Sequence, residues 1–173
     1  MTGEGSRGVT EDGRANKYLA IYLSDHMAGS VAGLELAKRS ASSNRGTELG
    51  RYLDYTLIPE IKQDRGSLET IMNRLGISAG RFKQGIAWVG EKVGRLKLNG
   101  EVTTYSPLSR LVELEGLAMG VLGKRCGWQS LKTTHGADER LADIDFDLLI
   151  ARADRQLAQL ENHRRDAAVV AFR

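Results

Sequence analysis

Three carboxylates, Glu60, Asp64 and Glu115, are the side chains whose types and positions best suit chemistry in this sequence. Asp64 falls between Ile61 and Leu68 on an apolar stripe with the three- and four-residue spacing of a helix. A carboxylate on such a stripe costs free energy unless it is paired or hydrogen-bonded. We therefore favour a buried ion pair with a Lys or Arg of a neighbouring helix. The alternative is that Asp64 binds a metal ion together with Glu60 and Glu115.

Two further reactive side chains, His26 and Cys126, lack a catalytic pattern. His26 follows Asp25, a pair capable of acid–base work, but a histidine that is simply hydrogen-bonded on its helix is the favoured interpretation. Cys126 is the only cysteine and has no CxxC motif, so it is predicted to be a small packed side chain. Glycines form no phosphate loop. They recur within one predicted helix, where they permit close helix–helix approach, at Gly116, Gly120, Gly123 and Gly127.

The composition is that of a single globular domain. The chain has 173 residues and a formal net charge of +3, which is too small to indicate a nucleic-acid partner. No apolar run is long enough to predict a membrane span. The single cysteine excludes an internal disulfide and favours the cytoplasm. Residues 1–15 lack the apolar core of a signal peptide and are predicted to be a flexible tail before one domain at 16–173.

Apolar periodicity predicts helices throughout 16–173. The first helix begins at Asn16, and its inward stripe is Leu19, Leu23, Met27, Ser30, Leu34 and Ala37. The second carries Asp64 and stops at Gly76, which suits a left-handed C-terminal cap, and its apolar stripe is Leu53, Leu57, Ile61, Leu68, Ile71 and Leu75. A basic helix that includes Trp88 is predicted over residues 81–97.

Two more long helices complete the predicted fold. Ser106 and Pro107 supply the N-cap and first residue of a helix that runs to about Trp128, with an inward stripe of Leu111, Leu114, Ala118 and Leu122. The last helix is predicted to begin at Asp138 or Asp143. Short connections between long amphipathic helices favour antiparallel neighbours. We therefore predict an all-α, antiparallel up-and-down four-helix bundle, with the basic helix added between the second and third long helices.

Three short stretches of this sequence resemble the ferritin-like superfamily, in particular its small bacterial stress-associated members. They are YLSDH at positions 22–26, IPEIKQD at 58–64 and ELE at 113–115. The resemblance extends over most of the chain from about Asn16 and implies a ferritin-like bundle.

The resemblance also implies a dinuclear metal site, built from a Glu on each of two helices and a Glu-x-x-His motif on each of the other two. The sequence contains no Glu-x-x-His, because the residues three positions before its histidines are Leu23, Lys132 and Leu160. Ser30 stands where the first helix needs a Glu, and Asp64 stands where the second helix needs a His. Glu115 alone falls at an inward position. Most of the implied site is therefore missing.

We accordingly predict a protein without a complete dinuclear metal site or other cofactor. It is more a binding protein than an enzyme, and it acts through protein–protein contacts as a homodimer or other homo-oligomer. A first alternative is a metal-binding protein or oxidoreductase with iron or another divalent ion at Glu60, Asp64 and Glu115. A second alternative is a module whose basic helix, with Trp88, binds an anionic partner.

Overall fold

The structure is a computed structural model that describes residues 11–77 and 105–173. Every regular element in these two ranges is helical, which confirms the all-α prediction. In chain order they are α1 (Glu11–Ser43), α2 (Glu48–Tyr52), a π-helical turn (Leu53–Leu57), α3 (Ile58–Arg74), α4 (Pro107–His135), a 3-10 turn (Glu139–Leu141) and α5 (Phe146–Phe172). Across these ranges, no helix is both long and apolar enough to cross a membrane. The predicted basic helix at 81–97, with Trp88, lies outside the described residues.

Local side-chain chemistry sets most of the helix ends. Ser106 caps α4 as predicted, since its hydroxyl accepts a hydrogen bond of 3.1 Å from the amide of Ser109. Gly76 adopts the left-handed conformation expected of a residue that ends a helix, with φ of 71°. The last helix begins later than predicted, because Asp145 is its N-cap and Asp138 caps the preceding 3-10 turn instead.

The observed helices also extend beyond two of the predicted ends. α1 begins at Glu11, five residues before the predicted start at Asn16, and residues 1–10 lie outside the described ranges. α4 continues to His135 rather than ending near Trp128.

Helices α1 and α4 run antiparallel. Arg39, near the end of α1, donates a hydrogen bond to Glu113, near the start of α4. At the other end of the pair, Tyr22 of α1 lies within 3.4 Å of Ser130 of α4. The two helices therefore face each other along most of their length.

Helix α5 runs antiparallel to both α3 and α4. Lys132, near the end of α4, binds Asp147 in the first turn of α5. Arg74, the last residue of α3, binds Asp143 just before α5. Because the ends of α3 and α4 both meet the start of α5, α3 and α4 run parallel to each other.

The observed order of directions of the four long helices is therefore up, down, down, up. The predicted alternation includes the basic helix between the two middle ones, and that helix lies outside the described residues. Ile77 packs beside the cluster that includes Leu141 at one end of the bundle. Tyr105 accepts a hydrogen bond of 2.8 Å from Asn44 at the other end. Ile77 and Tyr105, the described residues on either side of positions 78–104, thus lie at opposite ends of the bundle.

A polar layer separates two apolar clusters inside the bundle. One cluster contains Leu34, Leu57, Ile61, Leu114, Val121, Ala153 and Leu160, and the other contains Leu23, Met27, Leu68, Trp128, Leu131 and Leu149. Where each long helix passes from one cluster to the other, it carries a polar residue. These residues are Ser30, Asp64, Lys124 and Arg152.

The inward stripe of α4 differs from the prediction after Leu114. Its buried positions are Leu117 and Val121, whereas Leu122 is half exposed. The predicted stripe moves from Leu114 to Leu122 in two steps of four residues. Since each residue advances about 100° around the helix axis, eight residues exceed two full turns by about 80°, which carries Leu122 away from the core face. Alternating steps of three and four keep the stripe on the core face. The same rotation moves Glu115 outward.

Candidate functional site

The polar layer is a hydrogen-bonded network centred on Asp64, which is only 2% exposed. Arg152 donates to one carboxylate oxygen of Asp64 at 2.7 Å, and Lys124 donates to the other at 2.5 Å. The Lys124 ammonium also donates to the side-chain oxygen of Gln156 at 2.6 Å. The amide nitrogen of Gln156 in turn donates to Glu60 at 2.7 Å. Helices α3, α4 and α5 are thereby joined at one level.

The charges in this network balance, since two carboxylates face one ammonium and one guanidinium. Burial lowers the pKa of Lys124, while the nearby carboxylates of Asp64 and Glu60 act in the opposite direction. A buried charge with a hydrogen-bonded partner of opposite sign is far less costly than one left alone. The prediction that Asp64 is paired with cations of neighbouring helices is confirmed.

The three predicted carboxylates do not meet as a metal site. Glu60 reaches the network only through Gln156. Glu115 points outward and lies 3.8 Å from Arg164, so its predicted inward position is wrong. In the two described ranges, no group of three or more His, Cys, Asp or Glu residues could hold a metal ion. The cationic groups on Asp64 take the place beside its oxygens that a metal would need.

The inward glutamate of α4 is Glu113, two residues before the predicted one. It is 8% exposed and accepts hydrogen bonds from Arg39 at 2.9 Å and from Tyr105 at 3.1 Å. Burial is the main cause of the raised pKa of Tyr105. This cluster fastens the start of α4 to the end of α1, and its residues all have partners within the bundle.

A cavity of about 440 Å³ lies between α1, α3 and α4, directly beside the polar layer. Its lining includes the rings of Tyr22, His26 and Trp128 and aliphatic side chains of both apolar clusters. The charged side chains in the lining are Asp25, Asp64, Arg65 and Lys124. A volume of this size is in the range of sites for small molecules.

Glycines create this cavity. A Cβ atom added to Gly29, Gly33, Gly120 or Gly123 meets no atom within 4 Å, so the space beside them is open. Gly127 differs, because a Cβ there would lie 3.0 Å from the ring of His26. A Cβ at Gly116 would likewise lie 3.1 Å from Leu36, so the predicted close approach of helices occurs at Gly116 and Gly127 but not at Gly120 or Gly123.

His26 is held in the cavity wall by its neighbours on α1 and α4. Its ring lies edge-on to Tyr22, with 4.5 Å between ring centroids. Burial lowers the pKa of His26, and the charge of Asp25 opposes this shift only in part. The ring is therefore neutral at pH 7 and offers one donor and one acceptor nitrogen.

Cys126 and Trp128 differ in their exposure to solvent. Cys126 is exposed, so the prediction of a packed cysteine is wrong. Trp128 is 3% exposed, and its indole N–H is buried without a hydrogen-bond partner among the described residues. A buried donor without a partner carries a desolvation cost of roughly 1–3 kcal/mol.

Sequence reasoning found Asp64 but not the residues that neutralise it. The interleaving of basic with acidic residues favours solvated helix faces for most Lys and Arg residues, and Gln156 is predicted only to lie beside the inward Leu157 and Leu160. The spacing of Leu149, Ala153, Gln156 and Leu160 places Gln156 on the inner face of α5 and would have identified it. Lys124 follows in the same way from the alternating stripe through Leu117 and Val121.

A scan against family models, a search of curated proteins and a search of solved structures each return no match for this chain. The functional interpretation therefore rests on the geometry of the network and the cavity.

We expect Asp64→Asn to destabilise the protein by about 3 kcal/mol, because the guanidinium of Arg152 and the ammonium of Lys124 lose their buried counter-charge. Glu115→Gln is the matched control, with the same carboxylate-to-amide change on an exposed side chain, and we expect an effect below about 0.5 kcal/mol. Urea denaturation followed by circular dichroism measures both. Equal losses in the two variants would contradict the assignment of Asp64 as the centre of the network.

We also expect stability to fall as the pH is lowered through the ordinary histidine pKa of 6.5, because His26 titrates below that value in the folded protein. The unfolded chain then binds a proton that the folded chain does not, so acid favours unfolding in this window. Urea denaturation midpoints at about pH 7.5 and about pH 5.5 measure the effect. His26→Gln should show a smaller decrease between the two pH values than the parent protein. An unchanged decrease would exclude His26 as its source.

Proposed function

We propose that this protein is a ferritin-like helical bundle that lacks a dinuclear metal centre and acts by binding other molecules rather than by metal redox catalysis. The observation that carries the proposal is the Asp64 network. Arg152 and Lys124 hold positive charge beside the Asp64 carboxylate, at the level where all four long helices contribute a polar residue. A cation bound there would have to displace both of them.

Two features support the ferritin-like part of this proposal. The helix directions, and the positions of Ile77 and Tyr105 at opposite ends of the bundle, are those expected of bundles with one crossover, the arrangement of ferritin-like folds. The polar layer also draws one residue from each long helix, as a metal site in such a bundle would. Its composition differs, since Lys124 and Arg152 occupy positions on the two helices where ligands would be needed. We also propose a cytoplasmic location, because a single cysteine that forms no internal disulfide favours a reducing compartment.

Purified protein should contain no stoichiometric iron, manganese or zinc, because the carboxylate oxygens of Asp64 already accept hydrogen bonds from two cations. Elemental analysis of the protein as isolated, and again after incubation with ferrous iron and desalting, measures this. One or more equivalents of iron per chain, lost in Asp64→Asn but kept in Glu115→Gln, would instead support the alternative of an atypical carboxylate site.

The protein-contact part of the proposal rests on an exposed apolar stripe along α4. Leu108, Val112, Met119 and Leu122 follow one another in steps of four, seven and three residues and are 53%, 55%, 68% and 49% exposed. They therefore share a face about 21 Å long. Glu115 is the one charged residue on this face. We propose that a second copy of the chain covers it, because a two-fold axis would place each apolar stripe against its equal.

Multi-angle light scattering should then give twice the 19.0 kDa mass of one chain. Met119→Lys should shift the protein to monomer, since it places a charge in the centre of the apolar face. Gln159→Lys, on an exposed position of α5, is the control and should leave the mass unchanged. A monomeric parent protein would overturn this part of the proposal and leave the metal prediction untouched.

A further inference from the structure

We propose that the cavity between α1, α3 and α4 binds a small monocarboxylate with an apolar body, with the carboxylate on Lys124. This inference goes beyond the proposed function, because it holds whether or not two chains associate. The cavity, the unused ammonium N–H of Lys124 and the buried indole of Trp128 are three independent observations that point to the same class of ligand.

Lys124 is the cation of the network that reaches the cavity. The guanidinium of Arg152 binds Asp64 from the α5 side, at 2.7 Å, and does not line the cavity. Glu60 supplies the second negative charge of the network, but it is only half-buried, is joined to Lys124 through Gln156 and does not line the cavity. Asp25 and Arg65 also line the cavity, with one charge of each sign. A ligand anion therefore finds its buried cationic partner in Lys124.

Lys124 also has hydrogen-bonding capacity to spare. An ammonium has three N–H donors, and this one uses two, on Asp64 and Gln156. Lys124 lines the cavity, so a ligand carboxylate can accept the third. Such a charge-assisted hydrogen bond is strong where water is excluded.

The rest of the wall requires a body that is largely apolar. Tyr22, His26 and Trp128 offer ring surfaces in the lining, and Leu68, Ile61 and Val121 are among its aliphatic side chains. His26 is neutral and does not add a second charge. The unpartnered indole N–H of Trp128 belongs to the same wall, and a polar atom of the ligand would relieve its desolvation cost after a small ring movement.

The volume of the cavity also limits the ligand. About 440 Å³ accommodates a small organic molecule but not a folded peptide or a nucleic acid. The open space beside Gly29, Gly33, Gly120 and Gly123 gives this molecule its room. A side chain at one of these glycines should therefore compete with the ligand directly.

Decanoate is a suitable probe, and 1-decanol is its uncharged counterpart. The chain has two tryptophans, so Trp88→Phe leaves Trp128 as the only indole reporter. In this background we expect decanoate to change the emission of Trp128 saturably and to bind at least ten times more tightly than 1-decanol. Equal affinities, or no saturable change with decanoate, would overturn the proposal.

Two variants locate the site. Lys124→Met should remove the preference for decanoate over 1-decanol while leaving the binding of 1-decanol. Gly123→Leu should abolish the binding of both, because its side chain enters the open space. Gly66→Leu is the matched control: Gly66 also has no atom within 4 Å of an added Cβ, but it lies on α3 away from the cavity.

Retention of decanoate binding in Gly123→Leu, or its loss in Gly66→Leu to the same degree, would overturn the location. Should Lys124→Met fail to fold, the two glycine variants and the comparison of acid with alcohol still decide the matter.

Discussion

The arrangement of this bundle depends on how one buried carboxylate is neutralised. Asp64 belongs to α3, whereas its two cationic partners belong to α4 and α5. Each oxygen of the carboxylate accepts from a different helix, so small sliding movements of either helix would lengthen a charged hydrogen bond. The two apolar clusters on either side can tolerate such sliding more easily, because apolar contact has no direction. The network therefore fixes the register in which the three helices pack.

The parts of the fold that sequence reasoning predicts well are those where alternating steps of three and four are unbroken. Every residue assigned to the inward stripe of α3 is buried or partly buried, Asp64 included. In α4 the glycines at 116, 120 and 123 leave the stripe without a clear apolar marker. An inward stripe with four-residue spacing and one with alternating three- and four-residue spacing then fit the sequence equally well. The four-residue spacing predicts that Glu115 faces the core, whereas the structure places Glu113 there.

The order of helix directions was beyond the reach of periodicity. A repeating pattern states which face of a helix is buried, but not which end of a neighbour it meets. That information lies in long-range pairs such as Arg74 with Asp143 and Asn44 with Tyr105. Periodicity could not predict the residues that bind Asp64 for a related reason. Arg and Lys are usually exposed, and only a buried carboxylate across the bundle makes an inward position favourable for them.

The polar layer also has a consequence for how the chain folds. The α4–α5 hairpin is a local part of the structure, since residues 136–145 join its two helices, and such local pairs form early. In this hairpin alone, Lys124 and Arg152 lack the Asp64 carboxylate that both bind in the complete bundle. The hairpin is thus incomplete until α3 docks and supplies Asp64. Docking of α3 therefore stabilises the pair of α4 and α5, and it couples the two described ranges of the chain to each other in folding.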